Sequence, residues 1–124
     1  MEIRIERHDN IDVVQLSGRL DMVSSSALKD RMHQALQDGR LAFVLDCRAL
    51  DFINSSGLGR LLSVFKDVRL AGGQLVLCSL TPFVDEVMRL TCLDRVFDLH
   101  HDRETAMAIL SAAAPIPAVK SERG

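Results

Sequence analysis

The stretch Asp51-Phe52-Ile53-Asn54-Ser55-Ser56-Gly57-Leu58-Gly59 joins an apolar run to a helical one. Upstream lies Leu41-Ala42-Phe43-Val44-Leu45, apolar without alternation, as in a central strand covered on both faces. Downstream, Leu58, Leu61, Leu62 and Phe65 follow the i, i+3, i+4, i+7 spacing of an amphipathic helix over residues 57–70. Two hydroxyls and a glycine therefore stand where a loop turns into a helix. Such a junction carries unpaired backbone N–H groups and the positive end of the helix dipole. It can hold a phosphate without help from a cationic side chain. The same residues are also ordinary capping material, since Ser and Asn are favoured at helix N-caps.

Working outward, Ile3 and Ile5 alternate with charged residues, His8-Asp9-Asn10 supplies a turn, and Ile11 to Leu16 reads as a strand. Residues 2–16 are thus expected to form a β-hairpin. Ser17-Gly18-Arg19-Leu20-Asp21 breaks the pattern, and Ser24, Ser25 and Ser26 offer caps for a helix bearing Leu28, Met32, Ala35 and Leu36. Ala71-Gly72-Gly73 ends the second helix, and Leu75 to Cys78 is a further buried strand. Thr81-Pro82 opens a third helix, with a hydroxyl cap followed by proline at the first helical position. A short strand is expected around Val96-Phe97, and Asp102 caps a last helix carrying Ala106, Ile109, Leu110 and Ala113. The order β-β-α-β-α-β-α-β-α predicts an α/β domain, its central sheet mostly parallel with a hairpin at the start. Residues 1–113 make up that domain. Pro115, Pro117 and the polar Lys120 to Gly124 mark residues 114–124 as a flexible tail.

A chain of 124 residues, 48% hydrophobic and 26% charged, suits one domain with its own core and excludes global disorder. A net charge of -2 and the lack of Trp and Tyr argue against nucleic acid and anionic membrane as partners. Cys47, Cys78 and Cys92 cannot all pair internally, and none has the C-x-x-C spacing of zinc or redox sites. The alternating N-terminal residues carry no apolar signal segment, and no stretch is long enough to span a bilayer, so the cytoplasm is the expected location.

Asn54-Ser55-Ser56-Gly57-Leu58-Gly59 resembles the phosphorylation loop of the STAS domain family, in its bacterial anti-sigma-factor antagonists. There the usual text is Asp-Ser-Ser/Thr-Gly-Leu-Gly. Gly18-Arg19-Leu20-Asp21 resembles the Gly-x-Leu-Asp that follows the second strand in that family, and Gly72-Gly73 before an apolar strand is a third match. The resemblance covers residues 2 to 112 by element order and implies a STAS-type fold with no catalysis and no cofactor of its own. It implies Ser55 as phosphoacceptor, with Ser56 as fallback, and Asp21, Asn54, Ser56, Gly57, Leu58 and Gly59 as partner-facing surroundings. It further implies an anti-sigma-factor Ser/Thr kinase that binds the unphosphorylated form and a metal-dependent Ser/Thr phosphatase that resets it. The chain departs from the pattern at Asn54, where the family has Asp. Asn keeps the shape and the hydrogen-bonding ability but drops one negative charge.

Other readings fit less well. A response-regulator receiver would use Asp46 as acceptor, but Leu16-Ser17-Gly18 offers no paired acids for Mg²⁺, and Asp46 reads more simply as a strand-end or capping residue. Gly57-x-Gly59 lacks the spacing and lysine of a P-loop. Ser55 and Ser56 lack the G-x-S-x-G frame of a hydrolase. His100-His101 with Asp98 and Asp102 reads as exposed loop residues, not a metal site. A STAS-fold subunit of another signalling or transport complex, free of phosphorylation control, is the remaining alternative.

Overall fold

The computed structural model describes residues 1–112, so the expectation of a tail at 114–124, and residue 113, lie outside the described residues. Strands β1 (Glu2–His8) and β2 (Ile11–Leu20) form the expected antiparallel hairpin, with Asp9 in the left-handed region at the turn. Strands β3 (Ala42–Ile53), β4 (Gln74–Cys78) and β5 (Asp98–His100) then add in sequence order, each parallel to the one before. Helices α1 (Met22–Gln37), α2 (Ser55–Leu70), α3 (Pro82–Leu90) and α4 (Arg103–Ala112) connect and follow them.

The apolar runs without alternation do what their pattern requires. Val14, Phe43, Leu45 and Leu77 point into a core with Leu28 and Met32 of α1, Leu61 and Val64 of α2, and Val84 and Met88 of α3. The alternate residues Val13, Val44 and Val76 meet Ala106 and Leu110 of α4 on the other face. Helix α4 is short and covers only part of that face. The rest is polar, with Arg103 of α4 pairing with Asp46 at 3.0 Å and with Glu6 at 3.4 Å.

Several boundaries differ from the sequence reading. Strand β2 does not stop at Leu16. It runs to Leu20, with register shifts against β3 between Gln15 and Ser17 and between Gly18 and Arg19. Such irregularities keep the ladder going while the side-chain alternation slips, which hides the strand from a period-2 reading. Strand β3 likewise continues eight residues beyond Leu45: Asp46, Arg48 and Asp51 interrupt the apolar run, and Arg48 and Asp51 fall at the register shifts without a partner in β2, yet the strand carries on to Ile53. Asp46 is thus a buried residue inside a strand, not a strand end, and its carboxylate is committed to Arg103. Helix α1 starts at Met22, capped by Asp21 instead of one of the serines. The last strand lies at Asp98–His100, after a 3-10 turn (Leu93–Arg95). Phe97 acts instead as a core anchor, edge-on to Phe65 at 5.2 Å. His100 is consequently a half-buried strand residue, its Nε2 lying 3.1 Å from Asp98, and not an exposed loop residue. Among the described residues no three His, Cys, Asp or Glu side chains converge as a metal site.

At the end of the sheet where β2 and β3 begin, Asp12 is fully buried. Arg40 Nε and Nη2 donate to its Oδ1 at 2.9 and 2.6 Å, and Nη2 also donates to the Asp9 carbonyl at 2.8 Å. Arg7 approaches the second oxygen at 3.7 Å. These bonds tie the hairpin turn to the connection between α1 and β3. Removing one partner of such a pair strands the other charge in a dry site, which costs far more than the pair contributes net. Arg40→Gln is therefore expected to lower the unfolding free energy by about 3 kcal/mol. The double variant Asp12→Leu/Arg40→Leu should lose less than the single one, as read by urea denaturation.

Candidate functional site

Helices α1 and α2 both begin where a strand of the parallel pair β2 and β3 ends, so their N-termini lie side by side at one end of the sheet. Each is capped by the residue that leaves the strand. Asp21 accepts from the backbone N–H of Val23 and Ser24 at 3.1 and 3.0 Å, and Ser24 Oγ accepts in turn from the Asp21 N–H at 2.9 Å. This is a capping box, with Ser24 in the place usually held by Glu or Gln. The backbone N–H and hydroxyl of Ser24 hold the Asp21 carboxyl below its usual range, followed by smaller contributions from Val23 and Arg19. A depressed carboxyl gives this cap its strength at neutral pH and forfeits it only as pH falls through the folded-state value.

Asn54 caps α2, its Oδ1 accepting from the Gly57 N–H at 2.9 Å. The amide thus fulfils the capping role of the missing carboxylate without its charge. Ser55 is the first helical residue, and Ser55 and Ser56 are both exposed. Neither hydroxyl is the cap. The capping task falls to Asn54, which leaves both serine side chains exposed and out of the cap. Gly57 is buried, and its place is dictated by contact: a Cβ there would stand 2.2 Å from the Leu20 carbonyl oxygen. Leu20 also accepts from the Asn54 N–H at 3.3 Å, so the end of β2 and the start of α2 are locked together. Leu58 is half-buried and packs on the main core, whereas a Cβ at Gly59 would meet nothing within 4 Å.

The structure brings together Asp21, Asn54 and Ser55 through Gly59 as the two helix starts. It adds residues the sequence reading missed. Met22 and Val23, 66% and 82% exposed, project from the first turn of α1. Met22 and Ser25 share a cleft of about 310 Å³ with Ser55, Ser56 and Arg60. Near the ends of β2 and β3, the Arg19 guanidinium lies 4.0 Å from the centre of the Phe52 ring, which stacks on Phe83 of α3 at 5.5 Å. An apolar pair directly after a capping acid, ahead of the helix's own buried stripe, is the signal that could have drawn attention to Met22 and Val23. No signal in the sequence joins Arg19, Phe52 and Phe83.

The contacts separate two neighbouring glycines. Gly57→Ala forces the start of α2 away from Leu20, and such overpacking costs about 1–3 kcal/mol. Gly59→Ala has open space and a helical backbone, so it should be neutral or stabilising by up to about 1 kcal/mol. Thermal unfolding of the two variants checks the contrast.

Comparison with known proteins agrees with the fold. The STAS domain profile matches residues 2–106. BtrV of Bordetella bronchiseptica, whose name proposes an anti-sigma factor antagonist, is 31% identical over 115 residues, spanning 93% of this chain and 99% of its own. The anti-sigma F factor antagonist of Paenibacillus polymyxa is 28% identical over 115 residues, spanning 92% of this chain and 98% of its own. The crystal structure of an anti-sigma factor antagonist from Mycobacterium paratuberculosis superposes with a TM-score of 0.79 at 28% identity, over 89% of this chain and 93% of that one. The chain belongs to the STAS domain family.

Proposed function

We propose that this protein is an anti-sigma-factor antagonist that works by partner switching, with Ser55 as its switch. Unphosphorylated, it binds an anti-sigma-factor Ser/Thr kinase across the starts of α1 and α2 and so releases that kinase's other client. The kinase then transfers the γ-phosphoryl group of ATP to Ser55 Oγ; ADP leaves, and the hydroxyl proton passes to a base of the kinase. Phosphorylated, the protein dissociates, and a metal-dependent Ser/Thr phosphatase hydrolyses the ester to restore it. ATP and metal belong to those partners, and this chain binds without catalysing. The cytoplasm is the compartment in which such partners would meet it. No helix among the described residues is long and apolar enough to cross a membrane.

The observation that carries the reading is the exposed Ser55 hydroxyl at the first position of α2, relieved of capping duty by Asn54. Phosphorylation adds about -1.5 to -2 units of charge at neutral pH. Unpaired N–H groups and the helix dipole offset that charge locally, so the fold tolerates it while the surface changes sign. The exposed Met22 and Val23 supply apolar area next to the switch, where a partner gains contact only while the charge is absent. Asp46 is unsuited to the rival acceptor role because Arg103 holds its carboxylate inside the sheet.

Incubation with candidate anti-sigma-factor kinases and ATP, followed by mass spectrometry, tests the reading. Phosphate is expected on Ser55 in the parent chain and absent from that position in Ser55→Ala. Ser55→Asp should weaken kinase binding about tenfold or more through charge placed in the interface, while Ser55→Ala stays binding-competent. Stable association without phosphate on either tandem serine would replace the switch with the structural-subunit alternative.

A further inference from the structure

We propose that Arg60 is the intramolecular counter-ion of the phosphate, folding it down into the cleft between α1 and α2. The inference rests on the phosphoserine reading given above. Of the side chains lining that cleft, Arg60 alone is charged; Met22, Ser25, Ser55 and Ser56 around it are neutral. Its guanidinium makes one long contact, with Nη2 lying 3.5 Å from Ser26 Oγ across the cleft. Among the described residues it forms no ion pair.

The neighbouring charges are occupied elsewhere. The Asp21 carboxylate accepts from the first backbone N–H groups of α1. Lys29 of α1 donates to Ser63 Oγ at 2.7 Å and lies 3.8 Å from Asp67. Asn54, standing where the family text has Asp, is neutral and adds no competing anion. Helical side chains lean toward the helix N-terminus, so a guanidinium at position 60 leans back over Ser56, four residues earlier, and it lines the same cleft as Ser55. A forked guanidinium suits a phosphate's geometry better than an ammonium, and charge-assisted bonds between them are among the stronger hydrogen bonds.

The pairing gives the switch a second component. The phosphate does not simply project a negative charge toward the partner. It draws Arg60 off Ser26, fills the space beside Met22, and removes the cleft from the docking surface. Release then depends on occupation of the cleft as well as on repulsion.

The test installs phosphoserine at position 55 during translation, without any kinase, in the full chain and in its Arg60→Gln and Arg60→Lys variants. Phosphorus NMR then follows the second ionisation of the phosphate. The Arg60→Gln chain is expected to titrate roughly half a pH unit higher than the parent, a threefold change in proton affinity and the size of an exposed ion pair. Arg60→Lys should retain most of the parent's value, since it keeps the cation. Superimposable titrations of the parent and Arg60→Gln, with amide spectra attesting that both are folded, would overturn the clamp. Because the phosphoserine is installed directly, failure of a kinase to modify Ser55 sinks the switch and leaves this result standing. An unchanged titration sinks the clamp and leaves the switch standing.

Discussion

Helix α2 can begin where it does only because residue 57 has no side chain. The Leu20 carbonyl at the end of β2 occupies the space a Cβ would need, 2.2 Å away. That contact and the Asn54 N–H bond to the same carbonyl fix the first turn of α2 against the strand that leads into α1. The parallel pairing of β2 and β3 brings both strand ends to one edge, as open α/β sheets do with their functional loops. The tight junction then sets how closely the two helix starts approach. Cap, cleft and exposed serines all follow from that spacing.

The electrostatics of the site follow from the division of labour among neighbouring polar residues. Asn54 caps, Gly57 packs, and Ser55 and Ser56 remain exposed. A carboxylate at position 54 would cap equally well but would oppose a second negative charge on the next residue. The amide removes that opposition while keeping the bond to the Gly57 N–H. At α1 the cap keeps its charge, but its oxygens are turned to its own backbone N–H groups. The field over the cleft is accordingly set by two helix N-termini and the guanidinium of Arg60.

Rigidity of the platform is a separate matter, secured at the opposite end of the sheet and on its second face. Asp12 and Arg40 bind the hairpin to the α1–β3 connection, while Asp46 and Arg103 anchor α4 over the strands. Neither pair contributes to the helix starts. Their separation from that edge means that a charge added at the serines would not disturb what holds the sheet together.

Much of this was legible in the residues themselves. Apolar runs without alternation announced strands covered on both faces, and the cores on either side of Val13 and Val14 have that form. Thr81-Pro82 and Asp102 opened their helices as capping chemistry requires. Local rules misjudged β2 and β3 beyond Leu16 and Leu45, where irregular pairing carries a strand through polar residues that its partner strand alone can justify. They offered several serines for the α1 cap without choosing, because several polar residues compete on paper and only the backbone at Asp21 decides among them. What the sequence determined by itself was the alternation of elements and the hydroxyl-glycine junction, since periodicity and capping depend on neighbours along the chain. What only the tertiary structure decided was the meeting of Met22, Ser55 and Arg60 around one cleft and the stacking of Arg19, Phe52 and Phe83 on one another. Those contacts join residues tens of positions apart, and no local pattern encodes a distance that strand pairing must first create.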